Sequence, residues 1–335
     1  MRIIIDEDIP FIRNRFPGFI EVEFLPGSQI SGENVKNADA MIIRTRTKCD
    51  ENLLKDSKVK FIATATIGTD HIDLTWCEKN GIAIANAPGC NASGVAQYVF
   101  AALFKTGFDP RTQTLGIIGY GNVGSTVAEW ANMMGIRTLI SDPPRKEMGF
   151  HDVDYLSLEE VLKNSDAVTL HVPLTKKGIY STFHLIGDKE LSLLKDGSIL
   201  VNSSRGGVVD EKILKRVLKD GKIKAIVDVW ENEPDIDSEL LNLVSIGTPH
   251  IAGYSAQGKM RATRMALEAF TDYTGILTNL SGLECRPIRE EKISRELIEQ
   301  SYNPQLDFKN LLKHKGAFEN LRNQYNYRRE PLFFE

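Results

Sequence analysis

The chain has 335 residues, enough for about two domains with hydrophobic cores of ordinary size. Its formal net charge of −4 gives no bulk attraction to nucleic acid or to a membrane surface. The four cysteines have no zinc-binding spacing, so we predict reduced thiols and no metal site. The opening MRIIIDEDIP lacks the apolar core of a signal peptide, and no stretch is apolar enough for a membrane span. We therefore expect a soluble, cytoplasmic protein.

The first 90 residues alternate between short β-branched runs and helical patterns. The predicted strands are IIIDE near the start, AMIIR at 40–44, VKFIATA at 59–65 and IAIANA at 82–87. Between the last two, DHIDLTWCEKNG predicts a helix that begins with Asp70 and stops at Gly81. Continuous apolar strands that alternate with helices indicate a parallel sheet buried on both faces.

A second block of the same kind follows the helix NASGVAQYVFAALFKTG. Its predicted strands are TLGIIGY, RTLISD, DAVTLHVP, GSILVNS, IKAIVDVW and LVSIGTP. The next segment, AQGKMRATRMALEAFTDYTGILTNL, carries one continuous apolar stripe and predicts a long helix packed along one face. From about Ser281 the chain is highly charged but too aromatic for a disordered tail. We expect this tail to pack on a partner subunit.

Cations occupy alternate positions directly after AMIIR. Arg44, Arg46 and Lys48 are separated by Thr45 and Thr47. An extended segment would direct alternate side chains to one side, which suits a dianionic phosphate that needs several donors. A solvated strand exit is the alternative, and the spacing alone favours it.

The segment LGIIGYGNVGSTVAEW contains a G-x-G-x-x-G pattern in Gly119, Gly121 and Gly124. It lies between an apolar strand and an amphipathic helix, where glycines permit a tight turn, close approach of a pyrophosphate and close helix packing. Asp142 ends the next strand, 18 residues beyond the third glycine. Its carboxylate would bind the ribose hydroxyls and repel a 2′-phosphate, so we predict NAD. Arg145 is a reason to test NADP as well.

Three later segments place reactive side chains after predicted strands, where ligands bind in a doubly wound sheet. NSSRGGVVD carries Arg205, VDVWENEPD carries Asp228 and Glu233, and TPHIAGYS carries His250. Oxidation of a hydroxy acid needs a base, which suits imidazole, and a cation for the carboxylate, which suits guanidinium. Taken singly, a loop histidine, an Arg-Gly-Gly turn and a solvated acidic loop are ordinary alternatives. The histidines without matching neighbours are His71, His151, His171, His184 and His314.

In this order, the glycine-rich loop, NSSRGGVVD, DVWENEP and PHIAGYS resemble the D-isomer-specific 2-hydroxyacid dehydrogenase family over about residues 1–280. DEDIP, RTRTK, ATIGTDHID, APGCNA, DPPR and YSAQGK are similar to a subgroup that oxidises a phosphorylated 2-hydroxy acid of the vitamin B6 pathway. The resemblance implies a two-lobed α/β fold with a Rossmann-type NAD domain at 91–255. That domain would be inserted into a flavodoxin-like substrate domain at 1–90 and 256–280, and 281–335 would form a dimerisation segment of a homodimer.

The resemblance also implies roles for individual residues. Arg205, Glu233 and His250 match the family's catalytic set. The implied cofactor contacts are Gly119, Gly121, Asn122, Val123, Gly124, Asp142, Val172, Asp228 and Gly253. The implied substrate contacts are Thr45, Thr66, Tyr254, Arg44, Arg46 and Lys48. Two departures are Val172, where the family often has a threonine, and Ile67, which replaces a small residue beside Thr66.

Several alternatives remain at this point. Another dehydrogenase of the family could act on 3-phosphoglycerate or on an unphosphorylated 2-hydroxy acid, and an NAD-sensing corepressor that binds peptides is an alternative of a different class. The complete Arg/Glu/His set and RTRTK favour an enzyme for a phosphorylated acid, with neither nucleic acid nor membrane as partner. In the tail, Arg328 or Arg329 either reaches a neighbouring subunit's substrate phosphate or only meets solvent.

Overall fold

The computed structural model describes residues 1–286, 288 and 292–333, which form two compact units. Unit 1 contains residues 1–91 and 256–286, and unit 2 contains residues 92–255 and the described residues from 288 onwards. The tail predicted as one segment from 281 is thus divided, because 281–286 belongs to unit 1 and the remainder to unit 2.

The bounds of the described elements are as follows. The strands are β1 (Arg2–Asp6), β2 (Glu21–Leu25), β3 (Ala40–Ile43), β4 (Phe61–Thr64), β5 (Ala83–Ala85), β6 (Thr114–Ile118), β7 (Arg137–Ser141), β8 (Ala167–Leu170), β9 (Ile199–Asn202), β10 (Lys224–Val227) and β11 (Ile246–Gly247). The α-helices are α1 (Gly32–Val35), α2 (Glu51–Leu54), α3 (Leu74–Lys79), α4 (Ala92–Thr106), α5 (Asn122–Met133), α6 (Pro143–Glu147), α7 (Leu158–Asn164), α8 (Asp188–Leu193), α9 (Glu211–Lys219), α10 (Ser238–Leu243), α11 (Ala256–Thr274), α12 (Arg295–Ser301), α13 (Pro304–Lys313) and α14 (Phe318–Asn323).

Unit 1 contains a parallel sheet with the strand order β2-β1-β3-β4-β5. Successive residues of β1 face opposite sides of the sheet, so Ile3 and Ile5 join one buried cluster and Ile4 joins another. Phe270 of α11 packs in the first cluster. Burial on both faces explains the continuous apolar runs, and the strand order is that of the predicted flavodoxin-like fold.

Two helix predictions in unit 1 are wrong at one end. Helix α3 begins at Leu74 and not at Asp70, because the Asp73 side chain accepts a hydrogen bond from the Trp76 amide at 2.9 Å and caps the helix. Helix α11 ends at Thr274, because Gly275 takes a φ of +71°. The remainder of the predicted stripe is therefore outside the helix, and its last member, Leu277, is 80% exposed.

Unit 2 contains a parallel sheet with the strand order β11-β10-β9-β8-β6-β7. A single parallel bridge between Ile140 and Tyr155 extends the sheet beyond β7. The chain runs outward from β6 to β7 and then returns to β8 on the other side of β6. This reversal is the switch point of a Rossmann-type sheet, where dinucleotides bind, so the predicted fold class is confirmed.

The described tail residues from 292 onwards pack on unit 2 of their own chain. Leu297 and Ile298 of α12 are buried, and Ile298 shares a cluster with α4. Leu311 and Phe318 are buried in a second cluster of the same unit. The expectation that the tail also contacts a partner subunit stays a prediction. Within the described residues, no helix combines the length and apolar character needed to cross a membrane.

Candidate active site

The glycine turn between β6 and α5 has the geometry of a pyrophosphate site. Gly119 takes a φ of +89°, and a Cβ there would lie 2.6 Å from the His171 carbonyl oxygen. A Cβ on Gly124 would lie 2.0 Å from the Gly119 carbonyl oxygen, so both positions exclude other side chains. A Cβ on Gly121, at the N-cap of α5, would meet nothing within 4 Å. The turn therefore fits a dinucleotide, with open space next to the amide groups of the helix N-terminus.

Asp142 lies at the end of β7 and caps α6. Its Oδ2 accepts from the Tyr120 amide at 2.7 Å, and its Oδ1 accepts from the Arg145 amide at 3.1 Å. Each carboxylate oxygen has a further lone pair, which ribose hydroxyls can use. The Arg145 side chain is paired with Asp152 at 2.9 Å and with the Tyr155 hydroxyl at 3.0 Å. A 2′-phosphate would have to compete with Asp152, which weakens the argument for NADP.

His250 and Glu233 form a hydrogen-bonded pair. The distance from His250 Nδ1 to Glu233 Oε2 is 2.8 Å, and Glu233 Oε1 accepts from the Trp230 amide at 2.9 Å. Burial acts to raise the pKa of Glu233, but the His250 hydrogen bond and charge, the Trp230 amide and Arg322 together hold that pKa below its usual value. The ionised carboxylate keeps a proton on Nδ1, so Nε2 carries the lone pair that a general base needs.

Asp228 fixes the loop on which His250 lies. It is almost fully buried, and its Oδ1 accepts from the Thr248 hydroxyl at 2.6 Å and from the Ile251 amide at 2.8 Å. Its Oδ2 accepts from the Ala252 amide at 2.9 Å, and its backbone carbonyl accepts from the His250 amide at 2.8 Å. His250 has a φ of +57°, which is uncommon outside glycine and is maintained by these bonds. Contact of Asp228 with the nicotinamide amide stays a prediction.

The loop that carries Arg205 follows β9 and lies directly against the segment before Glu233. Asn202 donates from its side-chain amide to the Arg205 carbonyl at 3.1 Å. A Cβ on Gly206 would lie only 1.9 Å from the Trp230 carbonyl oxygen, so the two backbones touch. The structure thereby brings the Arg205 loop next to the segment that holds Glu233 and His250.

Val172 lies beside the glycine turn at the switch point. Its Cγ1 would be 2.8 Å from a Cβ on Gly119, so an aliphatic side chain stands where a threonine would present a hydroxyl. The remaining predicted cofactor contacts belong to the first turn of α5 and to the loop after His250, and are Asn122, Val123 and Gly253. Their contacts with the cofactor stay predictions.

The basic segment in unit 1 is a turn and is not extended. The Thr47 amide donates to the Arg44 carbonyl at 3.3 Å, and the buried Thr47 hydroxyl donates to the Gly27 carbonyl at 2.9 Å. The expectation that this segment is extended, with alternate side chains on one side, is therefore wrong. Thr45 and Arg46 are exposed at the tip of this turn.

Arg44 and Lys48 in this segment have carboxylate partners. Arg44 is paired with Asp6 at 3.2 Å and with Asp8 at 2.9 Å, both from the DEDIP segment. Lys48 is paired with Asp50 at 2.8 Å, although its side chain is 80% exposed. Part of this charge therefore serves to hold the turn against the end of β1.

The last two predicted substrate contacts lie in different units. In unit 1, Thr66 shares a hydrogen bond of 2.7 Å with the Thr64 hydroxyl, and its hydroxyl is 3.0 Å from the Gly68 carbonyl. In unit 2, Tyr254 lies on the loop after His250. The roles of both residues in substrate binding stay predictions.

His184 does have a carboxylate neighbour, so the expectation that it lacks one is wrong. Its Nε2 is hydrogen-bonded to Glu231, and its Nδ1 lies 3.5 Å from Asp210. The sequence does not indicate this contact, because Glu231 follows His184 by 47 residues.

Sequence reasoning missed Arg322, which lies on α14 of the tail. Its Nε donates to the Tyr254 hydroxyl at 3.2 Å, and its Nη1 lies 4.0 Å from Glu233 Oε2. No motif or spacing connects position 322 with these residues.

Comparison with known proteins agrees with this geometry. Residues 95–252 match the family model described as D-isomer specific 2-hydroxyacid dehydrogenase, NAD binding domain. A D-lactate dehydrogenase from Aquifex aeolicus, solved with NAD and lactic acid, has a TM-score of 0.67 at 28% identity, covering 82% of this chain and 96% of that chain. A 3-phosphoglycerate dehydrogenase from Entamoeba histolytica, solved with NAD⁺, also has a TM-score of 0.67, at 26% identity, covering 82% and 95%.

The chain belongs to the D-isomer-specific 2-hydroxyacid dehydrogenases, and the predicted NAD-dependent oxidoreductase chemistry is confirmed. Within that family it groups with proteins named erythronate-4-phosphate dehydrogenase. One from Bacteroides fragilis is 46% identical over 340 residues, covering 98% of this chain and 97% of the relative. Another from Proteus mirabilis is 40% identical over 349 residues, covering 98% and 93%.

Proposed function

We propose that the chain oxidises 4-phospho-D-erythronate at C2 to 2-oxo-3-hydroxy-4-phosphobutanoate, with NAD as oxidant, in vitamin B6 biosynthesis. Its similarity over nearly the full length to relatives named for this substrate supports the choice of substrate. The observation that carries the chemistry is the 2.8 Å hydrogen bond between His250 and the ionised Glu233. A base of this kind suits removal of a proton from a secondary alcohol.

In this mechanism His250 Nε2 takes the proton of the C2 hydroxyl. Glu233 holds the ring through Nδ1 and stabilises the imidazolium that forms, because its carboxylate is already ionised. NAD, when bound, supplies the acceptor for the C2 hydride. Asp228 keeps the His250 loop in its left-handed conformation, so the base does not have to reorganise during the reaction.

Arg205 is proposed to bind the substrate carboxylate. A guanidinium offers two parallel donors that match the two carboxylate oxygens, which fixes the orientation of C2 as well as its position. The contact between Gly206 and the Trp230 carbonyl supports this role, because it packs the Arg205 loop against the segment that carries Glu233.

The turn at 44–48 is proposed to bind the C4 phosphate. Thr45 and Arg46 are the leading candidates, since both are exposed at the tip of the turn. Arg44 and Lys48 add positive charge, but each also holds a carboxylate of its own unit. A phosphate would therefore have to share Arg44 and Lys48 with these carboxylates.

Single-turnover absorbance at 340 nm tests the substrate assignment. Enzyme loaded with NAD is mixed in parallel with 4-phospho-D-erythronate, D-erythronate or 3-phosphoglycerate. Rapid reduction with the first substrate alone supports the proposal. An equal response to D-erythronate would remove the phosphate role of the 44–48 turn, and a preference for 3-phosphoglycerate would replace the proposed substrate.

The finer assignments of assembly and location also belong to this proposal. We infer a homodimer formed through the C-terminal segment, where Leu306 is 63% exposed on α13. We infer a cytoplasmic location, because Cys49, Cys77, Cys90 and Cys285 are thiols and the reaction draws on NAD.

A further inference from the structure

Residues 318–330, which we call the C-terminal strap, run along the loop that follows His250. Ser255 and Arg328 form a parallel β-bridge, and the Ser255 hydroxyl donates to Glu330 Oε1 at 2.7 Å. Ser255 is fully buried and Glu330 is 2% exposed. The strap is therefore part of the packed interior of unit 2 at this loop.

Arg328 anchors the strap to the backbone of the same loop. Its guanidinium is buried, and it donates to the carbonyl oxygens of Ile251 at 2.9 Å, Tyr254 at 3.2 Å and Gly94 at 2.8 Å, and also to that of Ala252. These contacts commit Arg328 to its own chain. Of the two tail arginines considered for a neighbouring subunit, only the exposed Arg329 remains a candidate.

Arg322 reaches the reactive side chains themselves. Its Nε donates to the Tyr254 hydroxyl at 3.2 Å, and its Nη1 is 4.0 Å from Glu233 Oε2, the oxygen that holds His250 Nδ1 at 2.8 Å. The Arg322 side chain is 19% exposed, so water screens these interactions less than it would at a surface. One guanidinium thereby connects the hydrogen-bonded His250 and Glu233 with Tyr254, a predicted substrate contact.

This geometry suits a planar, forked cation. Arg322 presents Nε to Tyr254 and Nη1 to Glu233 at the same time, whereas a lysine ammonium is a single point of charge that satisfies one of them. An uncharged side chain would remove a positive charge from beside Glu233.

We propose that Arg322 is a positioning residue of the active site, which holds the Tyr254 hydroxyl and the Glu233 carboxylate in place from the C-terminal strap. The inference rests on the proposed roles of His250, Glu233 and Tyr254. Arg322 lies outside residues 95–252, the part of the chain that matches the family's NAD-binding domain. The inference therefore assigns a role in the active site to the C-terminal strap.

The test compares kcat and KM of Arg322→Gln, Arg322→Lys, Tyr254→Phe and the double variant Arg322→Gln/Tyr254→Phe, using 4-phospho-D-erythronate. Lys313→Gln is the matched control, because it removes one positive charge from an exposed position on α13. NADH binding, followed by fluorescence, and the thermal unfolding midpoint report whether each variant keeps its fold.

We expect Arg322→Gln to lower kcat/KM by about ten- to a hundredfold while NADH affinity is retained. Lysine should recover part of the loss, and Lys313→Gln should match the unchanged chain. Because Arg322 acts partly through the Tyr254 hydroxyl, its substitution should cost less than about threefold when Tyr254 is already phenylalanine.

Two outcomes would overturn the inference. The first is normal kinetics for Arg322→Gln, and the second is full additivity with Tyr254→Phe. His250→Gln, measured in parallel, separates this result from failure of the proposed mechanism. An inactive His250→Gln beside a normal Arg322→Gln removes only the positioning role, whereas an active His250→Gln removes the base.

Discussion

Two neighbouring buried acids in unit 2 have pKa values shifted in opposite directions, because their partners differ. Asp228 is surrounded by neutral donors, and burial raises its pKa despite the charge of His250 and the hydrogen bonds from Thr248 and the loop. Glu233 is also buried, but the directly bonded His250 and the nearby Arg322 lower its pKa. The first acid is suited to holding a loop and the second to stabilising a cation.

Replacement of His250 by glutamine should reduce kcat by about two or more orders of magnitude, because an amide does not accept the hydroxyl proton as an imidazole does. His184→Gln is the matched control, since it also breaks a histidine–glutamate hydrogen bond. We expect it to keep kcat within about tenfold. Single-turnover rates at 340 nm provide the measurement, and equal losses in the two variants would contradict the assignment of the base.

Glu211 should make the folded state less stable as the pH rises. Burial raises its pKa from 4.5 to about 7, although the Glu231 amide donates to it. Between these two values the unfolded chain has lost this proton and the folded chain has kept it, so the free energy of unfolding falls with rising pH.

Glu211→Gln removes this loss of stability, since the amide oxygen can still accept from Glu231. The variant should be more stable than the unchanged chain at pH 8, by about 3 kcal/mol at most, and equal to it near pH 4. Urea unfolding at both pH values measures the difference. The exposed Glu129→Gln is the control, and a Glu211→Gln effect independent of pH would refute the explanation.

At the level of single residues, motifs predict the reactive groups but not what holds them. Arg205, Glu233 and His250 follow from short segments whose chemistry is local. Arg322 and the His184–Glu231 contact depend on side chains far apart in sequence, which only the folded backbone brings together. The extended conformation expected for RTRTK is wrong for a different reason, since the buried Thr47 hydroxyl donates to the Gly27 carbonyl and the segment forms a turn.

Among the elements, the β6–α5 turn gives the sharpest test of how glycines form the NAD site. Gly121→Ala meets nothing within 4 Å and should preserve the thermal midpoint while weakening NAD binding, because the new methyl group enters the space open to pyrophosphate. Gly124→Ala would place its Cβ 2.0 Å from the Gly119 carbonyl oxygen. This variant should lower both the thermal midpoint and the affinity for NAD. Calorimetric titration with NAD and thermal unfolding are the measurements. Unchanged NAD affinity in Gly121→Ala would place the pyrophosphate elsewhere.

A continuous apolar run predicts a strand that is buried on both faces, whereas a partly exposed strand with charged residues lacks this signal. The runs Ile3–Ile5 and Met41–Ile43 are wholly buried, and their apolar residues predict strands directly. Strand β2, EVEFL, was not predicted, because its residues are only partly buried and carry Glu21 and Glu23. Its strand character comes from pairing with β1 and not from its own pattern.

For the whole molecule, the described tail residues complete the core of unit 2 and still leave apolar surface. Leu306 on α13 is 63% exposed, while Leu277 in unit 1 is 80% exposed and serves as a control. If the C-terminal segment forms the dimer, Leu306→Glu should shift the sedimentation coefficient towards that of a monomer, and Leu277→Glu should not. A dimer unaffected by Leu306→Glu would place the interface on another surface.

Strand β2, which the sequence did not predict, also affects the tendency of the protein to aggregate. β2 lies at the edge of its sheet, and an edge strand offers backbone groups to which a foreign strand can add. Here Glu21 and Glu23 are ion-paired with Arg2 at 3.5 and 2.6 Å, so an approaching strand would have to strip water from charged groups. The same charges that hide β2 from pattern recognition therefore protect the molecule from edge-to-edge aggregation.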